Sequence, residues 1–241
     1  MTTLFISDLH LAASQPEIGE QFVELLNGEA REAEALYILG DLFDAWPGDD
    51  DPNPYYDEMK TALRKLVDAG VPVYFMHGNR DFMIGAVFAK ETGVSILADP
   101  SVVGLYGRDV LLCHGDALCT DDAHYQQIRT MTRDPDWQAM MRKKSLPERI
   151  AIAAQARQES IEHGALISDE ITDVSQDTVI ATLREYGIDT LLHGHTHRPA
   201  VHDVDLGERT ATRIVLGDWY EQGSVVRWDE SGPRLETLPR K

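Results

Sequence analysis

Apolar and polar positions along the 241-residue chain follow two alternating rhythms. Short apolar runs occupy residues 3–7, 35–39, 71–76, 94–97, 110–113 and 190–193, and their length and continuity predict buried strands. Helical spacing fills the gaps. Ile18, Phe22, Leu25 and Leu26 share one face of a helix predicted over 17–26. Two further helices are predicted over 55–69 and 176–186, stopped by Gly70 and Gly187 respectively. Strands alternating with helices predict an α/β sheet. After about residue 198 strands alternate with turns instead, at 200–204, 211–217 and 224–228, which predicts hairpins and a second, more antiparallel sheet. Residues 121–164 break the rhythm with a long helical stretch. It is expected to be a cap insertion within a single domain spanning 1–241, the kind of excursion from which lids and substrate pockets are built. The only linker-like stretch is 47–54, rich in Pro and Asp.

Composition narrows the class. With 43% hydrophobic residues the chain can bury a substantial core, and no apolar run approaches the ~20 residues of a membrane helix. The opening MTTLFISDLHL has neither a basic n-region nor a small-residue cleavage site, so export is not expected. Cys113 and Cys119 are the only cysteines and form no CxxC pair, which argues against a disulfide framework or a structural zinc and favours the cytoplasm. The formal charge of −19 argues against duplex nucleic acid as a partner, since phosphate binding needs Lys and Arg. One region runs the other way. Residues 129–157 hold seven basic residues (Arg129, Arg133, Arg142, Lys143, Lys144, Arg149, Arg157) against three acidic ones. Such a stretch is either an ordinary charged helix surface or a patch for an anionic lipid or membrane face.

Five short motifs stand at or just after strand ends: Asp8-Leu9-His10, Gly40-Asp41, Gly78-Asn79-Arg80-Asp81, His114-Gly115-Asp116 and Gly194-His195-Thr196-His197. Carboxyl ends of strands are where α/β sheets bind ligands, so all five are expected to converge. Together they supply Asp, His and Asn donors, a mixed oxygen and nitrogen set suited to Mn, Fe, Zn, Co or Ni. Seven ligands are too many for one ion and suit two that share a bridging carboxylate. Residues two apart on a strand face the same side, which would aim Asp8 with His10, and His195 with His197, into one pocket. The glycines at 40, 78, 115 and 194 are expected to let the backbone approach a phosphate. A lone DxH or strand-end histidine is far more often structural than a ligand. Five such motifs in chain order are another matter, because buried carboxylates and imidazoles concentrated there are costly without a metal.

The ordered set DLH…GDLFD…GNRD…HGD…GHTH resembles the calcineurin-like metallophosphoesterase superfamily over most of residues 4–218. The resemblance implies an α/β fold of two packed mixed β-sheets flanked by helices, an αββα sandwich, around a dinuclear metal site. It implies that Asp8, His10 and His197 hold one ion, that Asn79, His114 and His195 hold the other, and that Asp41 bridges them. Many members carry His where this chain has Arg80. Arginine cannot act as a general acid, but its fork can grip phosphate oxygens, which suits a leaving group that is already stable, such as a phosphate departing from a diphosphate.

GNRD, HGDALCTDDAHYQ, PDWQ, RQES and VLGDWYEQGSV together resemble, nearly end to end, a narrower family: the UDP-2,3-diacylglucosamine diphosphatases of lipid A biosynthesis. That resemblance implies two Mn²⁺ ions per chain and a nucleotide-lipid substrate split into UMP and 2,3-diacylglucosamine 1-phosphate. A hydroxide shared by the cations would attack the UMP phosphorus, with Asn79, Arg80 and His195 at the reacting phosphate. It also implies weak peripheral association with the cytoplasmic face of the inner membrane, with no obligate protein partner. The insertion would cap an acyl-chain cavity with residues such as Trp137, Met140, Met141, Ile150, Ile152 and Ile161. Asp122 and Ser160 match substrate-contacting positions, although Asp122 equally reads as a helix-start cap. Two positions depart from the family pattern: Gly164 stands where Asn is expected and Ile167 where Lys is. The alternatives are a phosphodiesterase or nucleotide-sugar diphosphatase with another substrate, and a binding module that has lost its metals. Trp219 and Tyr220 are expected to pack the second sheet near the site, and His77 and His193 to be structural or to support the neighbouring ligands from behind.

Overall fold

The computed structural model describes residues 2–164, 168 and 171–240. Its first layer of strands is the parallel core that the apolar runs predict: β1 (Thr3–Ile6), β2 (Ala35–Leu39), β3 (Val73–Met76) and β4 (Ser95–Leu97) are parallel neighbours in chain order. They are linked by α1 (Pro16–Asn27), α2 (Pro54–Asp68) and α3 (Ala86–Thr92). The helix limits follow from local chemistry. Proline opens α1 and α2, where its missing N–H costs nothing, and the Asn53 side chain accepts from Tyr55 N at 3.1 Å to cap α2.

The remaining strands are β5 (Ser101–Leu105), β6 (Arg108–Leu112), β7 (Thr190–His193), β8 (Ala200–Asp205), β9 (Thr210–Val215), β10 (Gly223–Asp229) and β11 (Gly232–Leu238). The expected second sheet is present, but the strands after residue 198 divide between the two sheets, β8 and β9 joining the second and β10 and β11 the first. One sheet has the order β11-β10-β1-β2-β3-β4 and the other β5-β6-β7-β9-β8. The β10–β11 hairpin pairs antiparallel with β1, placing Trp228 opposite Thr3, while β9 runs parallel to β7. Sequence alternation announces a hairpin but carries no information about which open sheet edge it completes.

Three buried layers result. Between the sheets lie Phe5, Tyr37, Leu39, Met76, Val226 and Trp228 from one and Val110, Leu112, Leu192 and Ile214 from the other. Leu4, Ile6, Leu36 and Ile38, on the opposite face of the first sheet, pack against Phe22 and Leu26 of α1 and Met59 and Leu63 of α2. Leu111 and Leu191 pack against Val179 and Leu183 of α7 (Gln176–Tyr186). Both faces of β1 and β2 are therefore dry, which is why their sequences run apolar without alternation. Each fully buried large side chain contributes roughly 1.5–3 kcal/mol.

Between β6 and α7 run α4 (Ala123–Arg133), α5 (Pro135–Arg142) and α6 (Leu146–Gly164). Trp137, Met141 and Ile152 pack against the helix-side core of the first sheet, whereas Met140, Ile150 and Ile161 are exposed. The basic stretch is not a uniform patch. Arg129 and Arg133 turn inward onto Asp116, Arg157 onto Asp44, and Arg149 donates to Pro47 O at 2.6 Å and Asp50 Oδ1 at 2.8 Å. Only Arg142, Lys143 and Lys144, at the end of α5, remain of it outside these pairs. Among the described residues no helix is long and apolar enough to cross a membrane.

Candidate metal centre

The five motifs do meet at the carboxyl ends of the strands, but not through strand alternation. β1 ends at Ile6 and β7 at His193, so Asp8 with His10, and His195 with His197, lie beyond the ladders. Left-handed backbone brings them together instead: φ is 56° at Asp8, 51° at His10, 52° at Asp41, 69° at His195 and 56° at His197. Among the described residues Tyr106 is the one other non-glycine residue with positive φ. Such backbone costs of order 1 kcal/mol or more per residue and persists where surrounding bonds over-determine it. Those bonds are present: Asp8 N donates to Gly40 O at 3.1 Å, His10 N to Asp41 O at 3.0 Å and Gly194 N to His114 O at 2.8 Å. Gly78 and Gly194 serve a role other than the expected approach to phosphate. A Cβ at Gly78 would overlap Asp41 Oδ1, and one at Gly194 would overlap Asp8 Oδ2, so these glycines make room for the carboxylates.

Two clusters share Asp41. In the first, His10 Nε2 lies 3.3 Å from His197 Nε2, and His197 Nε2 lies 3.4 Å from Asp8 Oδ1. In the second, Asn79 Oδ1 lies 3.0 Å from His114 Nε2 and 2.9 Å from His195 Nδ1. Asp41 stands between them, with Oδ2 3.9 Å from His10 Nε2 and Oδ1 3.8 Å from His114 Nε2. Ligand atoms of Asp8, His10 and His197 all lie within 4.8 Å of one another, as do those of Asp8, Asp41 and His114.

The donor chemistry fits cations. His114 Nδ1 is 2.8 Å from Leu39 O, which can only accept, so Nδ1 donates there and Nε2, an acceptor once it has lost its proton, is the nitrogen that faces Asn79 Oδ1. Two acceptors 3.0 Å apart require a proton or a metal ion between them. Burial alone would lower the His114 pKa, but the carboxylates of Asp41, Asp116 and Asp8 raise it to about 9, so the site attracts positive charge. Burial raises the Asp8 carboxyl, yet the imidazole of His197 close beside it outweighs this and holds Asp8 below the usual carboxylate range. Burial pushes Asp41 up and His10 well down. Burial, then the His114 charge, takes His195 down to about 3. Asp8 Oδ1 and His10 Nδ1 are buried without a hydrogen-bond partner among the described residues. These residues fit a pair of divalent cations, with one group of donors on each side of Asp41.

The other predicted residues lie around this centre. The Arg80 backbone N donates to Asp41 Oδ1 at 2.8 Å, while its Nε is buried with no hydrogen-bond partner among the described residues. Asp122 caps α4 by accepting from Tyr125 N at 2.9 Å, and it also pairs with His163 Nε2 at 2.9 Å. Ser160 is exposed on α6, one turn before His163. Gly164 ends α6, and Ile167 lies outside the described residues. His77 and His193 bond to Ile84 O and Gly194 O, structural partners as expected.

Around the centre lies a ring of supporting groups to which sequence reasoning gave either no role or a different one. Asp81 accepts from Gly78 N and Leu42 N at 2.8 and 2.7 Å, tying the loops of Asn79 and Asp41 together. Asp116 is fully buried beneath His114, where Arg129 and Tyr125 of α4 reach it at 3.0 and 3.1 Å. Trp219 packs with the helix-side core of the first sheet, not with the second, and Tyr220 stacks on His10 at 5.4 Å and 5°. Asp218 sits behind His197, its Oδ2 3.4 Å from Nδ1. A signal was available for Asp218, because Gly217-Asp218 follows a strand just as Gly40-Asp41 does.

The chain is similar to several known proteins. UDP-2,3-diacylglucosamine hydrolase of Stenotrophomonas maltophilia (strain K279a) is 54% identical, with 100% of both chains covered. The protein of that name from Xanthomonas oryzae pv. oryzae (strain PXO99A) is 53% identical over 98% of each chain, and that from Xanthomonas axonopodis pv. citri (strain 306) is 52% identical over 99% of each. Among solved structures, an archaeal phosphodiesterase aligns with a TM-score of 0.48 and 14% identity over 99% of this chain and 100% of that one. The calcineurin-like phosphoesterase model matches residues 1–199, the stretch that contributes all seven candidate ligands and both sides of the shared Asp41, and the chain therefore belongs to that family.

Proposed function

We propose that the chain hydrolyses the diphosphate of UDP-2,3-diacylglucosamine to UMP and 2,3-diacylglucosamine 1-phosphate, using two Mn²⁺ ions. One would be held by Asp8, His10 and His197, the other by Asn79, His114 and His195, with Asp41 between them. The observation that carries the chemistry is the pair of donor clusters meeting at Asp41, whose two oxygens face different histidines. The substrate rests on relatives of that name at 52–54% identity along the chain.

Bound divalent cations would lower the pKa of a water and offset charge on the phosphoryl oxygens. The protein's own groups do the rest. Asn79 Oδ1 is committed to the two histidines, which leaves its NH₂ group to donate to an oxygen of the attacked phosphate. His195, neutral because burial lowers its pKa to about 3, offers a hydrogen-bonding imidazole and no charge of its own. Arg80 supplies the charge, its buried Nε free to meet a phosphate oxygen. It gives no proton, and none is required, because a sugar 1-phosphate is a stable leaving group.

Residues 121–164 act in this reading as a cap over a single metallophosphoesterase domain, receiving acyl chains on the apolar side of α4–α6. Asp122 and Ser160 would contact the glucosamine and nucleotide portions. Arg142, Lys143 and Lys144, with the exposed Met140 and Ile150 of the same insertion, would give the cap a weak hold on the cytoplasmic face of the inner membrane. The test is a Mn²⁺-supplemented assay of UDP-2,3-diacylglucosamine beside UDP-N-acetylglucosamine and an aryl phosphodiester, with products identified by mass. UMP and the diacyl sugar 1-phosphate from the lipid substrate alone are expected. Turnover of only the soluble substrates would overturn the assignment of substrate and cap.

A further inference from the structure

His197 lies between two carboxylates. Its Nε2 faces Asp8 Oδ1 at 3.4 Å and His10 Nε2 at 3.3 Å, while its Nδ1 faces Asp218 Oδ2 at 3.4 Å. Asp218 comes from the loop after β9, outside the five motifs, and is part-exposed at 27%. Its other oxygen is already used: Oδ1 accepts from Tyr220 N at 3.0 Å, which fixes the carboxylate and places the Tyr220 ring flat against His10. One short loop thus supports both histidines of the first cluster from behind. The comparable carboxylate near His10 is differently occupied. Asp44 Oδ1 lies 3.9 Å from His10 Nδ1 but 2.7 Å from the Arg157 guanidinium of α6.

We propose that Asp218 is a positioning residue for the first metal ion: it holds the hydrogen of His197 on Nδ1 and thereby keeps the Nε2 lone pair directed at Asp8 and His10. A carboxylate cannot donate, so the only bond it can make with the ring is as acceptor of Nδ1–H, and that fixes the tautomer. Outer carboxylates of this kind orient a ligand imidazole and raise its basicity, and their loss costs 10–100-fold in metal affinity. The inference rests on the reading that Asp8, His10 and His197 hold a cation.

The two oxygens make the role separable from that of a turn. In Asp218→Asn the amide oxygen still accepts from Tyr220 N and keeps the loop, which leaves the NH₂ group facing His197 Nδ1. That group donates, so it favours the opposite tautomer, with the hydrogen on Nε2 where the metal must bind. In Asp218→Ala the hydrogen bond from Tyr220 N and the contact with His197 Nδ1 both disappear, but nothing reverses the ring. Mn²⁺ binding followed by titration calorimetry and by the electron paramagnetic resonance signal of free Mn²⁺, with thermal melting of the metal-free chains, distinguishes the cases. Wild type is expected to bind two equivalents. Asp218→Asn should weaken one of them 10–100-fold, at least as much as Asp218→Ala does, while melting closer to wild type than Asp218→Ala. Unchanged Mn²⁺ affinity in Asp218→Asn, or weaker binding only in the variant that also loses thermal stability, would overturn the proposal and leave the metal site standing. A wild-type chain that binds no Mn²⁺, or an Asp8→Ala chain that still binds two equivalents, would overturn the metal-site reading and this inference with it.

Discussion

Replacing Arg80 by alanine tests the leaving-group argument most directly, because the backbone and the side chain of this residue do different jobs. The backbone N donates to Asp41 Oδ1 at 2.8 Å and the backbone O accepts from Trp46 N at 3.2 Å. Both bonds survive in Arg80→Ala, so the loop and Asp41 should stay in place and the metal content should not change. The side chain has no comparable structural duty, since its buried Nε lacks a hydrogen-bond partner among the described residues. Folding stability should therefore move by less than about 1 kcal/mol, as no side-chain hydrogen bond of Arg80 is found among the described residues. Catalysis should suffer far more. Losing one preorganised donor aimed at developing charge costs about 10²–10³-fold in kcat, or about 2.7–4 kcal/mol of barrier. Arg80→Lys should fall between, keeping a charge but losing the two-point grip. The measurements are kcat on UDP-2,3-diacylglucosamine, elemental analysis for Mn, and the melting temperature. Near-full activity in Arg80→Ala, or metal lost together with activity, would refute the argument.

Four other outcomes are expected. Asp41→Ala and His114→Ala should abolish turnover and lower the metal content, since each removes a group from the junction of the two clusters; elemental analysis beside the assay checks this. Gly78→Ala should lose at least about 10²-fold in activity, because the added Cβ overlaps the Asp41 carboxylate and the loop must shift. Metal uptake should release protons near neutral pH: His114 is protonated below about 9 in the metal-free chain and must deprotonate to bind, so affinity rises with pH toward that value, and calorimetry in buffers of different ionisation enthalpy reads it. Arg149→Ala should destabilise the chain more than Asp50→Ala does, by denaturant melts. Arg149 is 4% exposed and also serves Pro47 O, whereas the Asp50 side chain is 66% exposed and loses little when its partner leaves.

Local patterns accounted for much of this molecule. The runs at 35–39 and 190–193 and the helix at 176–186 match β2, β7 and α7 to the residue, because strand burial and helix capping are read from neighbours a few positions apart. The same locality made the seven candidate ligands legible, since each motif sits beside a strand end that the sequence also marks. Tertiary structure alone decided what depends on distant partners. The hairpin of β10 and β11 joins β1 because that strand offers an open edge, more than two hundred residues away in the chain. Asp8 and His10 share a pocket because long-range backbone bonds hold both in left-handed conformation, a state their own sequence disfavours. The basic stretch of 129–157 turns largely inward because Asp116, Asp50 and Asp44 await it, and no composition count can see them. Asp218 supports His197 for the same reason: residues twenty-one apart become partners only when β7 and β9 lie side by side in the finished sheet.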